Sequence, residues 1–372
     1  MNAERLHAIA IEVNDDLTSP NIQNTLQSLV TTLQRQINEP QNAAYQTQIS
    51  SYLKTLYDSL AKSKTNDFSP AWKQAIKELG LGDLLGTPLS NRIKGIFERN
   101  QITLATAQQE IQAINKEFIS AKTALEQTIS SFKTLKIGAE ELNPGQCEIG
   151  ILVPRKAIDD KLGNFASDLE EINQNFGVFS ELTTGSRPGF NIRSISSSDL
   201  TVFLGAIPVV AAGMVLAIER ILALYKNILE IKKLHGELKK QGVPQKALKE
   251  VSNHANGIMQ KGIEQLVKEL IDKYYKKDDD GRKHELSNEL TLSLNNIAKR
   301  YDNGYSIEVR VAPLIKESEN SKKDDASHKD ASYIKEIMAA SKNIEFIKLE
   351  GDPILTLPEP DEKREDKKPE KK

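Results

Sequence analysis

The sequence predicts an α+β protein that is predominantly α-helical. An N-terminal helical region with a long heptad helix comes first, and a small mixed β-sheet packed by a second long helix and a helical hairpin follows. Two long stretches with apolar residues at every third or fourth position indicate the long helices. A few short alternating stretches indicate the strands. Of the 372 residues 38% are hydrophobic, which is enough for a core.

Residues 1–100 predict a region of short helices. Apolar residues recur at steps of three and four in Ile22–Ile37 and again in Ile49–Leu60. Each run ends near a helix breaker, at Pro40 and at Pro70. We therefore expect short amphipathic helices joined by turns.

Residues 101–140 predict one long coiled-coil-like helix. Apolar residues alternate by three and four from Leu104 to Leu135, which is the seam of a heptad repeat. At about 1.5 Å per residue this helix would be roughly 48 Å long, and its apolar seam requires a partner helix from the same chain or from a second copy. The interaction seam on this helix consists of Leu104, Ile111, Ile114, Phe118, Leu125 and Phe132.

Residues 141–315 predict an α+β core. Short β-rich stretches at 147–154, 190–195 and 305–311 would form the sheet. A second heptad-like seam predicts a long helix at 208–240 that ends at Gly242 and Pro244, and two amphipathic stretches predict a helical hairpin at 256–301. The second interaction seam consists of Ile221, Leu224, Ile228 and Ile231.

The C-terminal part predicts three segments of different kinds. Residues 316–332 are polar and of mixed charge without an apolar period, which is typical of a flexible loop. Residues 333–358 predict a helix and a strand, at 344–349, that return the chain to the core. Residues 359–372 are dominated by Lys, Glu and Asp and predict a disordered charged tail.

Nineteen residues from Leu200 to Ile218 carry no charge. This length just meets that of a transmembrane helix, but Pro208 lies in its middle and the first residues also fit a buried strand. Two interpretations therefore stay open, a buried core segment and a membrane segment. The candidate membrane residues are Phe203, Leu204, Val209, Val210, Met214 and Leu216.

Charge and composition bear on location and ligands. A net charge of −2 gives no field to attract nucleic acid, so we expect no nucleic-acid partner. The single cysteine, Cys147, cannot form an intrachain disulfide, so a cytoplasmic location is the default and membrane association the alternative. The loop 183–189 could bind an anion through Arg187, although it also fits an ordinary turn.

The common catalytic signatures do not occur in the sequence: it has no phosphate-binding loop, zinc-binding HExxH helix, GxSxG elbow or CxxC pair. We therefore assign no catalytic, cofactor-binding or metal-binding residue, and we expect no cofactor or metal.

Three functions remain. The leading hypothesis is a non-enzymatic helical interaction or assembly protein whose partner is itself or another helical protein. The alternative is a membrane-acting effector or anchor that uses residues 200–218. The third is an enzyme whose site is assembled from distant residues.

Overall fold

The computed structural model describes residues 2–18, 20–100, 102–196, 200–314, 325–347 and 351–358. It divides into two compact units, Met1–Glu141 (unit 1) and Leu142–Lys372 (unit 2). The chain is 71% helical and has a small four-stranded sheet, which confirms the predicted α+β, mainly helical class.

Unit 1 is built from helices, and local signals set their starts. Pro70 occupies the first turn of the fourth helix, where its missing N–H costs nothing, and the Ser69 side chain accepts from the Trp72 amide. The six α-helices of this unit are α1 (Ala3–Leu17), α2 (Pro20–Asn38), α3 (Ala43–Ala61), α4 (Pro70–Glu78), α5 (Gly86–Arg99) and α6 (Leu104–Thr134).

The long helix α6 spans 31 residues, close to the stretch that the heptad pattern indicated. Its apolar stripe packs on α1, α2 and α5 within unit 1. Ile111, Ile114 and Phe118 are fully buried there. The stripe therefore finds its partners among the helices of its own unit.

Unit 2 contains a four-stranded sheet in the order β2-β3-β1-β4. All its pairs are antiparallel, whereas the sequence analysis predicted a mixed sheet. Ile149 pairs with Leu204 and with Val309, and all three side chains are buried in one core. The strands are β1 (Cys147–Leu152), β2 (Asn191–Ser196), β3 (Thr201–Ala206) and β4 (Ser306–Val311).

The sheet carries its charged residues on the opposite face. Glu148 lies next to Ile149 and therefore points to the other side of the sheet. Its carboxylate is 1% exposed and accepts from Arg193 and Arg310, each at 3.1 Å. Both sides of the central strand are thus buried.

The helices of unit 2 surround one long apolar helix, α8, which packs on the sheet and on four other helices. Pro208 begins α8 in its first turn. The predicted helical hairpin starts earlier than 256, because a helix resumes directly after Pro244. The helices are α7 (Leu162–Thr184), α8 (Pro208–Lys240), α9 (Gln245–Tyr274), α10 (Asp280–Asp302) and α11 (Asp325–Ser341).

The uncharged segment 200–218 is not one element. Its first part forms β3, which pairs with β2 on one side and β1 on the other, and its second part begins α8. The break falls at Ile207 and Pro208, because proline has no amide hydrogen with which to continue a sheet ladder and fits the first turn of a helix. In this fold the segment therefore divides between a strand and the first turns of a helix.

After α11 the chain follows α8. Asn343 donates to Glu219 and Lys226 pairs with Glu345 at 2.5 Å. Ile344 is buried, but residues 344–347 form no strand, which corrects the strand predicted in 333–358. The segment is held by side-chain burial and by these polar contacts, and not by the ladder hydrogen bonds of a sheet.

Other predictions for this part lie partly outside the described residues. Residues 316–324 of the predicted loop and the tail 359–372 are outside, as are 348–350. Helix α11 begins at Asp325, so the predicted loop 316–332 is too long.

Candidate functional site

A buried ion pair joins α8 to the end of α10. The Lys232 Nζ lies 2.8 Å from Asp302 Oδ1, and the two side chains are 2% and 1% exposed. The Tyr225 hydroxyl donates to the same oxygen at 2.9 Å. One carboxylate oxygen thus receives two side-chain donors that lie two turns apart on α8.

Local sequence explains why this pair forms at this place. Gly304 has φ of +92°, a left-handed conformation that ends α10 just after Asp302. Carbonyl groups at a helix C-terminus lack intrahelical partners and favour a nearby cation. Lys232 supplies both a hydrogen-bond donor and a cation at this helix end, because its Nζ also donates to the backbone oxygen of Asp302 at 2.9 Å.

The other oxygen of Asp302 holds the C-terminal residues of the described chain. Asp302 Oδ2 accepts from the amide of Ile354 at 2.6 Å and from the amide of Leu355 at 2.7 Å. A carboxylate offers about four acceptor positions, and the two side chains and two amides fill them. We call residues 352–358 the C-terminal strap.

Two asparagines hold the rest of the strap. Asn256 on α9 accepts from the Thr356 amide at 2.9 Å and donates to the Thr356 hydroxyl at 2.8 Å. Asn295 on α10 donates to the carbonyl of Pro358 at 3.3 Å. We call the groove between α8, α9 and α10 the strap groove, and its polar lining is Tyr225, Lys232, Asn256, Asn295 and Asp302.

Apolar burial accompanies these bonds. Ile354, Leu355 and Leu357 are 3%, 8% and 4% exposed and belong to the core of unit 2. The strap enters the groove beyond Gly351, which has φ of +89°, and Asp352 pairs with Lys239 at 2.6 Å on the surface. The strap groove therefore holds this segment of the chain by its amides and by three apolar side chains.

The electrostatics of the groove favour a neutral tyrosine. Burial raises the pKa of Tyr225 well above its usual value, and the negative charge of Asp302 raises this pKa further. The tyrosine therefore stays protonated and donates to the carboxylate. The groove thus contains a protonated hydroxyl on Tyr225, a Lys232 ammonium paired with Asp302, and an Asp302 carboxylate whose acceptor positions are all occupied. This arrangement is suited to binding.

The predicted interaction seams lie inside the two units. On α6 the seam residues Ile111, Ile114, Phe118 and Leu125 are buried, while Leu104 and Phe132 are half-buried. On α8 Ile221 and Ile228 are buried, while Leu224 and Ile231 are half-buried. Helix α6 packs on α1, α2 and α5 of its own unit, and α8 packs on α7, α9, α10 and α11. These contacts bury the seams, and the predicted intrachain pairing of α6 with α8 does not.

The residue predicted to bind an anion, Arg187, is already paired. Its Nε donates to Glu181 at 2.6 Å, and its Nη2 contacts Glu289. These two carboxylates balance the guanidinium charge, so an added anion would have to displace them. Helix α7 also runs to Thr184, which shortens the predicted loop 183–189.

The predicted membrane residues divide between strand and helix. Phe203 and Leu204 lie on β3, and Val210 and Met214 are buried on α8. Val209 and Leu216 on α8 are half-buried. Within the described residues α8 is the one helix long and apolar enough to span a bilayer, and 61% of its most apolar stretch is buried.

Two further features carry less chemistry. Unit 1 has a cavity of about 560 Å³ beside Lys73, Lys77 and Asp83. Its size suits a small ligand, but these opposite charges select no ligand class.

Burial raises the pKa of Cys147 to about 12, so its thiol is protonated at neutral pH. In the described ranges no group of three His, Cys, Asp or Glu could hold a metal.

Sequence reasoning missed the strap groove. One signal was available: Lys232 lies one turn beyond Ile228 and two turns beyond Tyr225, on the buried stripe of α8. A lysine at a core-facing position needs a buried anion. Its partner Asp302 lies seventy residues away along the chain, and nothing in its own neighbourhood marks it.

Comparison of the chain with protein-family models, with curated proteins and with solved structures finds no match.

Proposed function

We propose that this chain is a non-enzymatic interaction protein that binds a short peptide segment of a partner protein in the strap groove. The supporting observation is that three side chains, Asp302, Asn256 and Asn295, already hold a peptide by its backbone and one hydroxyl group. Backbone hydrogen bonds combined with apolar side-chain sites are a common mode of peptide recognition. A cytoplasmic location suits this function.

The expected binding surface for a partner is the strap groove and not the heptad seams. The heptad seams were expected to need a second helix, but most of their residues are buried against helices of their own units. The strap groove differs from the seams because its occupant is a short non-helical segment, which another peptide of similar chemistry could replace.

The test is binding of a labelled peptide of residues 351–358 to a full-length chain whose own strap is expelled. Leu355→Asp places a carboxylate in the apolar site of the Leu355 side chain, which is 8% exposed, and should expel the strap, because an unpaired buried charge is costly. Met338→Asp is the matched control, since Met338 lies on α11 and is 42% exposed. We expect fluorescence anisotropy to detect binding to folded Leu355→Asp. A folded Leu355→Asp chain that does not bind the peptide would refute the proposal.

A second candidate function is membrane insertion, because α8 has the length and apolar character of a membrane span. Insertion would require α8 to leave β1 and β4 and the helices around it. Flotation of the full chain with anionic liposomes, before and after partial unfolding in mild acid, is the test. Absence from the vesicle fraction under both conditions would exclude this candidate.

A further inference from the structure

We infer that the strap groove recognises a defined linear pattern in its partner, and that the C-terminal strap competes with the partner as a tethered internal ligand. This inference rests on the proposed function, because it specifies the partner of the same groove. The pattern is an acidic residue, one unconstrained position, two apolar residues, a hydroxyl residue and an apolar residue.

The first element of the pattern follows from the amides. Asp302 Oδ2 accepts from two successive amides, at Ile354 and Leu355. In a regular strand successive N–H groups point in opposite directions, so the chain bends at this point. A partner must supply N–H donors at both positions and at the position of Thr356, which donates to Asn256. Proline is therefore excluded at these three positions, and the strap has its prolines at 353 and 358.

The second element follows from burial. Ile354, Leu355 and Leu357 are buried, whereas Thr356 is exposed apart from its bonds to Asn256. The partner therefore needs three apolar side chains, with one hydroxyl residue between the second and the third. An acidic residue at the position of Asp352 would pair with Lys239, which is 59% exposed.

The third step concerns competition. The strap is part of the same chain, and a tethered segment occupies its site at an effective concentration of about a millimolar. A free partner at lower concentration binds only when the strap is open. The strap begins at a surface ion pair, Lys239 with Asp352, in which both side chains are more than half exposed. Breaking this exposed pair should raise the small fraction of chains whose strap is open, without changing the buried part of the groove.

The experiment measures anisotropy of the labelled 351–358 peptide with three full-length chains: the natural chain, Asp352→Lys and Glu117→Lys. Asp352→Lys sets two cations against each other at the start of the strap. Glu117→Lys is the matched control, because it breaks an exposed pair with Arg92, 2.7 Å long, in unit 1. We expect Asp352→Lys to bind the peptide a few-fold more tightly than the natural chain, and Glu117→Lys to bind like the natural chain.

Modified peptides test the pattern with the folded Leu355→Asp chain, whose groove is open. A methyl group on the amide nitrogen of Leu355 removes one donor to Asp302 and keeps the side chain. The same change at Leu357, whose amide makes no hydrogen bond among the described residues, is the control. We expect the first peptide to lose more than about tenfold in affinity and the second to lose much less.

The outcomes separate this inference from the proposed function. In one outcome the peptide binds to Leu355→Asp, but binds the natural chain and Asp352→Lys with equal affinity. This outcome would overturn the competition and leave the peptide-binding function in place. Equal binding of the two methylated peptides would overturn the pattern. Absence of binding to folded Leu355→Asp would overturn the proposed function itself.

Discussion

Replacing Lys232 with methionine is the sharpest test of the buried pair that forms the floor of the strap groove. Methionine has a similar volume, so packing changes little. The change leaves the Asp302 carboxylate, 1% exposed, without its cation. Removing one partner of a buried ion pair costs about 3–5 kcal/mol. We expect the free energy of unfolding of unit 2 to fall by this amount.

The matched control is Lys233→Met, because Lys233 is the next residue on α8 and is exposed. It should change stability by less than about 0.5 kcal/mol. The double variant Lys232→Met with Asp302→Asn removes both charges. Because no unpaired charge then remains buried, the double variant should lose less stability than the two single losses added together.

Urea unfolding followed by circular dichroism and by tryptophan fluorescence is the assay. The single tryptophan, Trp72, lies in unit 1, so its fluorescence reports unit 1 while circular dichroism reports both units. The loss of stability should appear mainly in the unfolding curve that is followed by circular dichroism. A Lys232→Met chain as stable as Lys233→Met would show that the pair is not buried as described, and the reasoning would fail.

Three further predictions concern other parts of the molecule. The Cys147 thiol, whose pKa burial raises to about 12, should react with a thiol reagent only as the chain unfolds; rapid labelling of folded chain would contradict its burial. The raised pKa of Tyr225 contributes stability that is present below the unfolded value of about 10 and is lost as pH rises through the folded pKa, so Tyr225→Phe should show a shallower loss in urea midpoints above pH 10. Ile114→Glu with Phe118→Glu should unfold unit 1, measured by Trp72 fluorescence, because both side chains are fully buried; a folded unit 1 would place the seam outside the core.

The sequence predicted the long elements well because their periodicity is local. Helix α6 spans Leu104–Thr134, which matches the apolar repeat from Leu104 to Leu135 to within one residue and is shorter than the predicted 101–140, and α8 spans Pro208–Lys240 as its breakers indicated. The 200–218 segment misled because an uninterrupted apolar run has no period that distinguishes strand from helix. In the fold its first part is the strand β3, which pairs with β1 and β2, and its second part begins α8.

The buried stripe of α8 also shows a limit of the heptad pattern. The predicted seam placed Leu224 and Ile231 at the centre, but Tyr225 and Lys232 are buried instead. A straight helix has 3.6 residues per turn and drifts against a strict repeat of 3.5. Over 33 residues this drift moves the stripe, and it brings the lysine into the core.

The strap groove itself could not be predicted, because its parts come from distant positions. Asp302 and Ile354 are 52 residues apart, and Asn256 and Thr356 are 100 apart. The pattern of the strap is only a short apolar run near a charged tail. Side-chain recognition of a bent backbone has no periodic signature in sequence, so only the fold reveals it.

Hydrogen exchange at the amides of Ile354 and Leu355 tests the central claim most directly. These amides donate to Asp302 at 2.6 and 2.7 Å, and they should be protected in the full chain. An excess of unlabelled 351–358 peptide should remove their protection, because the peptide takes over the carboxylate, while core amides such as that of Leu290 stay protected. Peptide that binds while both strap amides keep their protection would contradict the shared groove.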